Sequence, residues 1–215
     1  MNLMKRFVFL LLPFVLIGHL NAQIIPDLSS VNNEKIWNVY NRIVNFDKAE
    51  NAIQFNAQPL DGVVWVKDLS FGDGVIELDI KGSDHQGRSF VGIAFHGLDE
   101  ETYDGIYFRP FNFKSPERNS HSVQYISHPE KTWSYLRSNF SEQYENPVIP
   151  VPDPNDWFHA KIEIVYPHVK VYVNNSEIAS LEIEQLSDRK TGWIGLWAGN
   201  NSDGAFKNLV IKKSK

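Results

Sequence analysis

A two-residue rhythm repeats along most of the chain and constrains its fold more than any other feature. The segments NAIQFNA (51–57), GVVWVKDL (62–69), GVIELDIKG (74–82), SFVGIAFHG (89–97) and GIYFRPFNF (105–113) are rich in β-branched and aromatic residues. SVQYIS (122–127), WFHAKIEIVY (157–166), HVKVYVNN (168–175), EIASLEI (177–183), GWIGLWAG (192–199) and AFKNLVIKK (205–213) continue the pattern. Gly, Asp, Asn or Pro separates most of them. Such a rhythm predicts an all-β chain with enough strands for two packed sheets. Helical periodicity is weak: SSVNNEKIWNVYNRI (29–43) reads as a turn of helix or as a strand or extended arm. Residues 138–156 carry Pro147, Pro150, Pro152 and Pro154 and read as a long ordered loop, because proline cannot donate to a sheet ladder.

The first 22 residues differ from the rest. Lys5 and Arg6 precede an apolar run from Phe7 to Ile17, and small or polar residues lead to Ala22. This is the layout of a secretory signal peptide, with cleavage expected before Gln23. One domain is then expected over 23–215, exported to the periplasm, cell surface or medium and free of the membrane after cleavage. The chain has no cysteine, which excludes disulfides, thiolate metal sites and a catalytic thiol. A formal charge of −5 without a long basic run argues against nucleic acid as a partner.

Parity assigns faces to the strands. Ile76, Leu78 and Ile80 oppose Glu77 and Asp79, and Val169, Val171 and Val173 oppose Lys170 and Tyr172. Such strands bury one face and wet the other. In GIYFRPFNF, Ile106 and Phe108 form one set, and Tyr107, Arg109, Phe111 and Phe113 the other. An unpaired buried arginine is costly, so Arg109 is expected on the wetted face among rings. There it either contributes to a sugar-binding groove or pairs with Glu77 or Asp79. Trp193 and Trp197 are expected to share the outer face of their strand. Sugars present apolar C–H faces to rings and hydroxyls to polar groups, so carbohydrate is the expected partner. Trp133 and Tyr135 are candidate rim residues.

The order of DGVVWVKDLSFGDGVIELDIKG, VGIAFHG, GIYFRP, DWFHAKIEIVYPHVKVYVNN and GWIGLWAGNNSDGAFKNLVIK resembles a concanavalin A-like jelly roll. Within that superfamily the chain is most similar, over about residues 40–213, to the secreted bacterial 3-keto-disaccharide hydrolase-like domains. The resemblance implies a sandwich of two antiparallel sheets with a concave groove. Arg109 matches that family's arginine in GIYFR, and Gln124 its glutamine in HSVQYIS. Ser122 and Ser127 stand where the family usually has Glu and Asp, which shifts the expectation from hydrolysis toward glycan binding; His128 and Glu130 are the neighbouring groups that could substitute. Binding is therefore expected through Arg109, Tyr107, Phe111, Gln124, Trp193, Trp197 and His128. The alternatives are a glycoside hydrolase acting on a disaccharide or 3-keto-disaccharide, and a structural module whose groove is filled by loop 138–156. Laminarinase-like glycosidases place three carboxylates along one strand; Glu77 and Asp79 supply only two.

His96, His121, His128 and His159 have no tight metal-ligand spacing, and no cofactor is expected. Asp99, Glu100, Glu101 and Asp104 cluster in one turn, which reads as a solvated acidic turn or as a structural calcium site.

Overall fold

The alternation in GVIELDIK becomes a strand whose residues are buried and half-buried by turns. The computed structural model describes residues 23–214; the segment 1–22, expected to be a signal peptide, lies outside the described residues. Among the described residues the strands are β1 (Gln23–Ile24), β2 (Trp37–Tyr40), β3 (Val44–Asp47), β4 (Ala52–Phe55), β5 (Gly62–Val66), β6 (Gly74–Lys81), β7 (Val91–Gly97), β8 (Asp104–Phe108) and β9 (Val123–Ser127). Helix α1 (Trp133–Asn139) follows, then β10 (Glu145–Asn146), β11 (Trp157–Val165), β12 (His168–Val173), β13 (Leu181–Glu184), β14 (Trp193–Ala198) and β15 (Gly204–Lys213). They form two sheets. The first runs β13-β12-β11-β6-β15-β4-β3, with β1 beside β15; the second runs β10-β9-β8-β7-β14-β5-β2. Every pairing is antiparallel.

The inner faces meet as expected. Ile76, Leu78, Ile80, Ile162 and Val171 of the first sheet are fully buried, as are Ile93, Phe95, Ile106, Phe108 and Leu196 of the second. Each such side chain contributes roughly 1.5–3 kcal/mol by leaving water. The rings of Phe108 and Phe158 meet across the sheets, 5.0 Å apart.

The outer faces differ. That of the first sheet is wetted and crossed by ion pairs such as Lys212–Glu77 and Lys170–Glu182. The central strands β7, β8 and β9 of the second sheet are buried on both faces. Here the expectation of one wetted face fails. Segment 133–146 covers this sheet: β10 adds to its edge by pairing Glu145 with Gln124.

Three local differences have physical causes. Segment 29–43 takes both proposed forms: Asp27 caps a short 3-10 turn at Leu28–Ser30, and β2 follows. The expected loop 138–156 starts within α1, which Thr132 caps by accepting from the Tyr135 amide. The expected strand 105–113 ends at Phe108, because Pro110 starts a 3-10 turn whose Asn112 amide bonds the Arg109 carbonyl.

Candidate functional site: an aromatic cavity on the second sheet

The ladder register places Tyr40, Val63, Trp197, Gly92, Tyr107, Gln124 and Glu145 in one row across the outer face of the second sheet. With only Gly92 between them, the rings of Trp197 and Tyr107 tilt together at 5.0 Å. They wall a cavity of about 270 Å³ together with Phe90, Ile126 and Trp133. Its polar lining includes Asp61, His128 and Asn200. Apolar walls with a few convergent polar groups are the general form of a small-molecule site.

Asp61 and His128 reach the cavity from opposite sides. Asp61 immediately precedes β5, on a turn that Arg42 holds in place. The buried Arg42 guanidinium donates to the carbonyls of Leu60, Ala198 and Gly199, which ties the turn to the end of β14. His128 follows β9, and its amide donates to the Tyr103 carbonyl. Its ring stacks on Tyr103 at 5.0 Å. His128 Nε2 lies 3.7 Å from Asp61 Oδ2.

Burial pushes the Asp61 carboxyl up to about 6, against the pull of Arg42, the Asn200 backbone and the Tyr103 hydroxyl. The imidazole of His128 is pushed down to about 4, first by burial and then by the charge of Arg189. At neutral pH the cavity therefore holds a carboxylate beside an uncharged imidazole. The Asp61 side chain keeps 30% exposure, so a ligand can reach it. Such a pair can accept a proton at the carboxylate and donate or accept a hydrogen bond at the imidazole.

The structure divides the residues expected from the sequence. Tyr107, Trp197 and His128 line this cavity, as does Trp133 at its rim. Phe111 stands behind it, with its ring edge-on to Phe90 at 5.4 Å. Trp193 lines a different cavity, with Trp65. Phe113 leaves the expected face altogether: its ring packs on Phe158 of the first sheet, because the turn at Pro110 resets the alternation.

Arg109 requires the largest correction. It is 4% exposed and does not lie on a wetted face. Its guanidinium donates to the Tyr107 hydroxyl, to Gln124 Oε1 and to the His121 carbonyl. Its ionic partner is Glu145, 3.3 Å away, and not Glu77 or Asp79. Those two lie on the outer face of the other sheet, with Lys212 and with His159 and Asn208 respectively. Glu145 also takes both nitrogens of an Arg137 fork, at 3.0 and 2.7 Å. Burial raises the Glu145 carboxyl, but Arg137, His121 and Arg109 outweigh it and hold the group below its ordinary value. Arg109 and Gln124 thus stand behind Tyr107 and fix its hydroxyl. Ser122 is fully buried, and Ser127 accepts from Arg189; neither lines the cavity.

The acidic turn is engaged within the protein. Asp99 accepts from the amides of Glu101 and Thr102, Glu100 from Asn38, and Glu101 from Tyr40. Asp104 is buried against Arg189 and Ser187. Among the described residues, no cluster of three or more acids or histidines is arranged to hold a metal ion.

The cavity residues missed by sequence reading are Asp61, Phe90, Ile126 and Asn200, with Gly87 and Gly199. Asp61 sits in QPLDG, which carries only turn signals.

No curated protein matches the chain in sequence. Among solved structures, the carbohydrate binding module CBM66 from Bacillus subtilis is similar with a TM-score of 0.59 at 17% identity, covering 82% of this chain and 95% of that one. A protein of unknown function with a galectin-like fold from Bacillus subtilis gives 0.59 at 13% identity, over 89% and 94% of the two chains. The exoplasmic/lumenal domain of VIP36 in its Ca2+/Man-bound form gives 0.58 at 12%, over 88% of each. At these identities the likeness is one of fold, the two-sheet jelly roll. Residues 25–212 match the family model described as 3-keto-alpha-glucoside-1,2-lyase-like domain, and the chain belongs to that family.

Proposed function

We propose that the Tyr107–Trp197 cavity binds the oxidised ring of a 3-keto-α-glucoside and that Asp61 is the base that acts on it. The observation that carries this reading is the meeting of aromatic walls with a reachable carboxylate 3.7 Å from an imidazole. The family description and the carbohydrate-binding neighbour CBM66 support carbohydrate as the ligand.

The chemistry follows from the substrate. A ketone at C3 acidifies the proton on C2. Asp61 takes that proton, the C2–H electron pair forms the C1=C2 bond, and the C1–O bond breaks. The departing glycosidic oxygen takes up a proton from solvent. A carboxyl lifted to about 6 is ionised at neutral pH yet a stronger base than an ordinary aspartate. The uncharged imidazole of His128 is suited to donate a hydrogen bond to the oxygen on which charge gathers. Tyr107 and Trp197 hold the C–H faces of the ring.

Glycan binding without turnover is the second reading. It is favoured by Ser122 and Ser127 at the positions where the resemblance leads one to expect carboxylates. Export, on the layout of residues 1–22, belongs to the proposal as well; mass spectrometry of the exported protein should find a chain starting near Gln23.

The test is turnover of methyl 3-keto-α-glucoside followed by NMR, for wild type and Asp61→Asn. Removing a general base costs typically 10²–10⁴-fold in rate, so the variant should lose at least about a hundredfold while still binding. Equal turnover by the two proteins refutes Asp61 as base. Binding by wild type with no turnover supports the second reading.

A further inference from the structure

A second cavity of about 330 Å³ opens where β5 and β14 lie side by side, lined by Asn38, Trp65, Lys67 and Trp193 among others. Asn38, Trp65 and Gly195 form the ladder row next to the one that carries Trp197 and Tyr107. The Trp65 ring lies over small residues. A methyl group on Gly195 would come within 2.9 Å of Trp65 Cε3, and one on Gly97 within 2.8 Å of its Cη2. The benzo edge therefore faces the sheet, and the Nε1 edge is turned away from these glycines. Trp65 Nε1 is buried and has no hydrogen-bond partner in the protein. Trp65 is 1% exposed, so its ring backs the cavity wall, and the surface open to a ligand is that of Trp193 with the polar groups of Asn38 and Lys67. Trp193 is 37% exposed and stands edge-to-face with Trp65 at 5.7 Å.

The rings connect the two cavities. Trp65 meets Tyr103 at 5.7 Å, the Tyr103 hydroxyl accepts from Trp197 Nε1 at 2.9 Å, and Trp197 meets Tyr107 at 5.0 Å. Trp193 through Trp65, Tyr103 and Trp197 to Tyr107 is thus one continuous aromatic layer, buried at Trp65 and Tyr103 and most open at Trp193. Along β14 the two tryptophans are four residues apart, or ~13 Å at the rise of a strand. That is more than one sugar ring spans.

We propose that the Trp65–Trp193 cavity is a second glycosyl subsite and that the ligand is an oligosaccharide. Its distal sugar stacks on Trp193 and hydrogen-bonds Asn38 and Lys67, while the first ring occupies the Tyr107–Trp197 cavity. The inference rests on the proposed function for that first cavity and extends it along the same face.

The test uses unoxidised α-glucosides, which lack the C3 ketone and are not consumed: methyl α-glucoside, with one ring, and maltotriose. In ¹⁵N spectra of the wild-type protein, the Trp197 indole N–H should move with both sugars. Those of Trp65 and Trp193 should move with maltotriose alone. Maltotriose should bind up to about tenfold tighter than methyl α-glucoside, and Trp193→Ala, at a partly exposed position, should erase that ratio. If Trp197 responds while Trp65 and Trp193 do not, and the ratio survives in Trp193→Ala, the second subsite is refuted and the first cavity stands. If Trp197 responds to neither sugar, the oligosaccharide reading is refuted; if it is silent with methyl 3-keto-α-glucoside as well, the first reading falls with it.

Discussion

Asp61 and His128 titrate in opposite senses on folding, and removing one exposes the other. His128 falls from an ordinary 6.5 to about 4 in the folded chain. Below pH 6.5 the unfolded chain therefore binds a proton that the folded chain refuses, and stability is lost as pH falls toward 4. Asp61 rises from 3.8 to about 6. Between those values the folded chain binds the extra proton, so acidification returns the stability that an ionised buried carboxyl had cost. From pH 7 to pH 5 linkage gives a loss of about 2 kcal/mol from His128. It gives a gain of about 1 kcal/mol from Asp61, after screening of its partly exposed side chain. Wild type should thus lose about 1 kcal/mol and Asp61→Asn about 2 kcal/mol over that interval, whereas His128→Asn should gain about 1 kcal/mol. At roughly 2–4 °C per kcal/mol for a domain of this size, Tm should fall by about 2–4 °C, fall by about 4–8 °C, and rise by about 2–4 °C respectively. Calorimetry of the three proteins at the two pH values is the assay. Other titrating groups are common to all three, so only the differences between proteins count. Three parallel shifts would refute the assigned pair.

Two further outcomes concern ion pairs. Arg109→Ala should destabilise by about 3 kcal/mol in urea unfolding, because it leaves the buried Glu145 with less compensation and releases the Tyr107 hydroxyl; a loss below about 1 kcal/mol would show that Arg137 alone satisfies Glu145. Lys212→Ala, which breaks the wetted Lys212–Glu77 pair, should change stability by less than about 1 kcal/mol in the same assay, and a larger loss would contradict a solvated outer face on the first sheet.

What is legible in the sequence follows from where water reaches. Strands β6, β11 and β12 are readable in both face and extent because one side of each is wet and therefore polar. Strands β7, β8 and β9 have no wet side, so alternation orders their residues but does not say what covers them. Tyr107 and Trp197 are readable because the inner parity of their strands is already filled by aliphatic and Phe side chains, which leaves the large rings to the outer face. Trp193 shares that parity, but the irregular pairing between Trp193 and Gly195, where the chain passes a second cavity, cannot be read from period two.

The charged residues show the limit of local reading most clearly. The rule that a buried arginine needs a partner holds; the inference that Arg109 is therefore exposed fails, because its partner comes from neither its own strand nor one beside it. Glu145 lies 36 residues further on, on a two-residue strand inside a segment that proline marks as loop. Pairing across that distance depends on β10 docking against β9, and no periodicity encodes the docking. Asp61 escapes notice for the converse reason. An aspartate before glycine in a turn is the commonest form of punctuation, and only the folded chain shows Arg42 holding that turn against β14, which brings the carboxylate to within 3.7 Å of His128. The aromatic half of the site is built from strand residues and is written in the strands. The carboxylate–imidazole half is built from two turns, and it exists only once the sheet has brought their ends together.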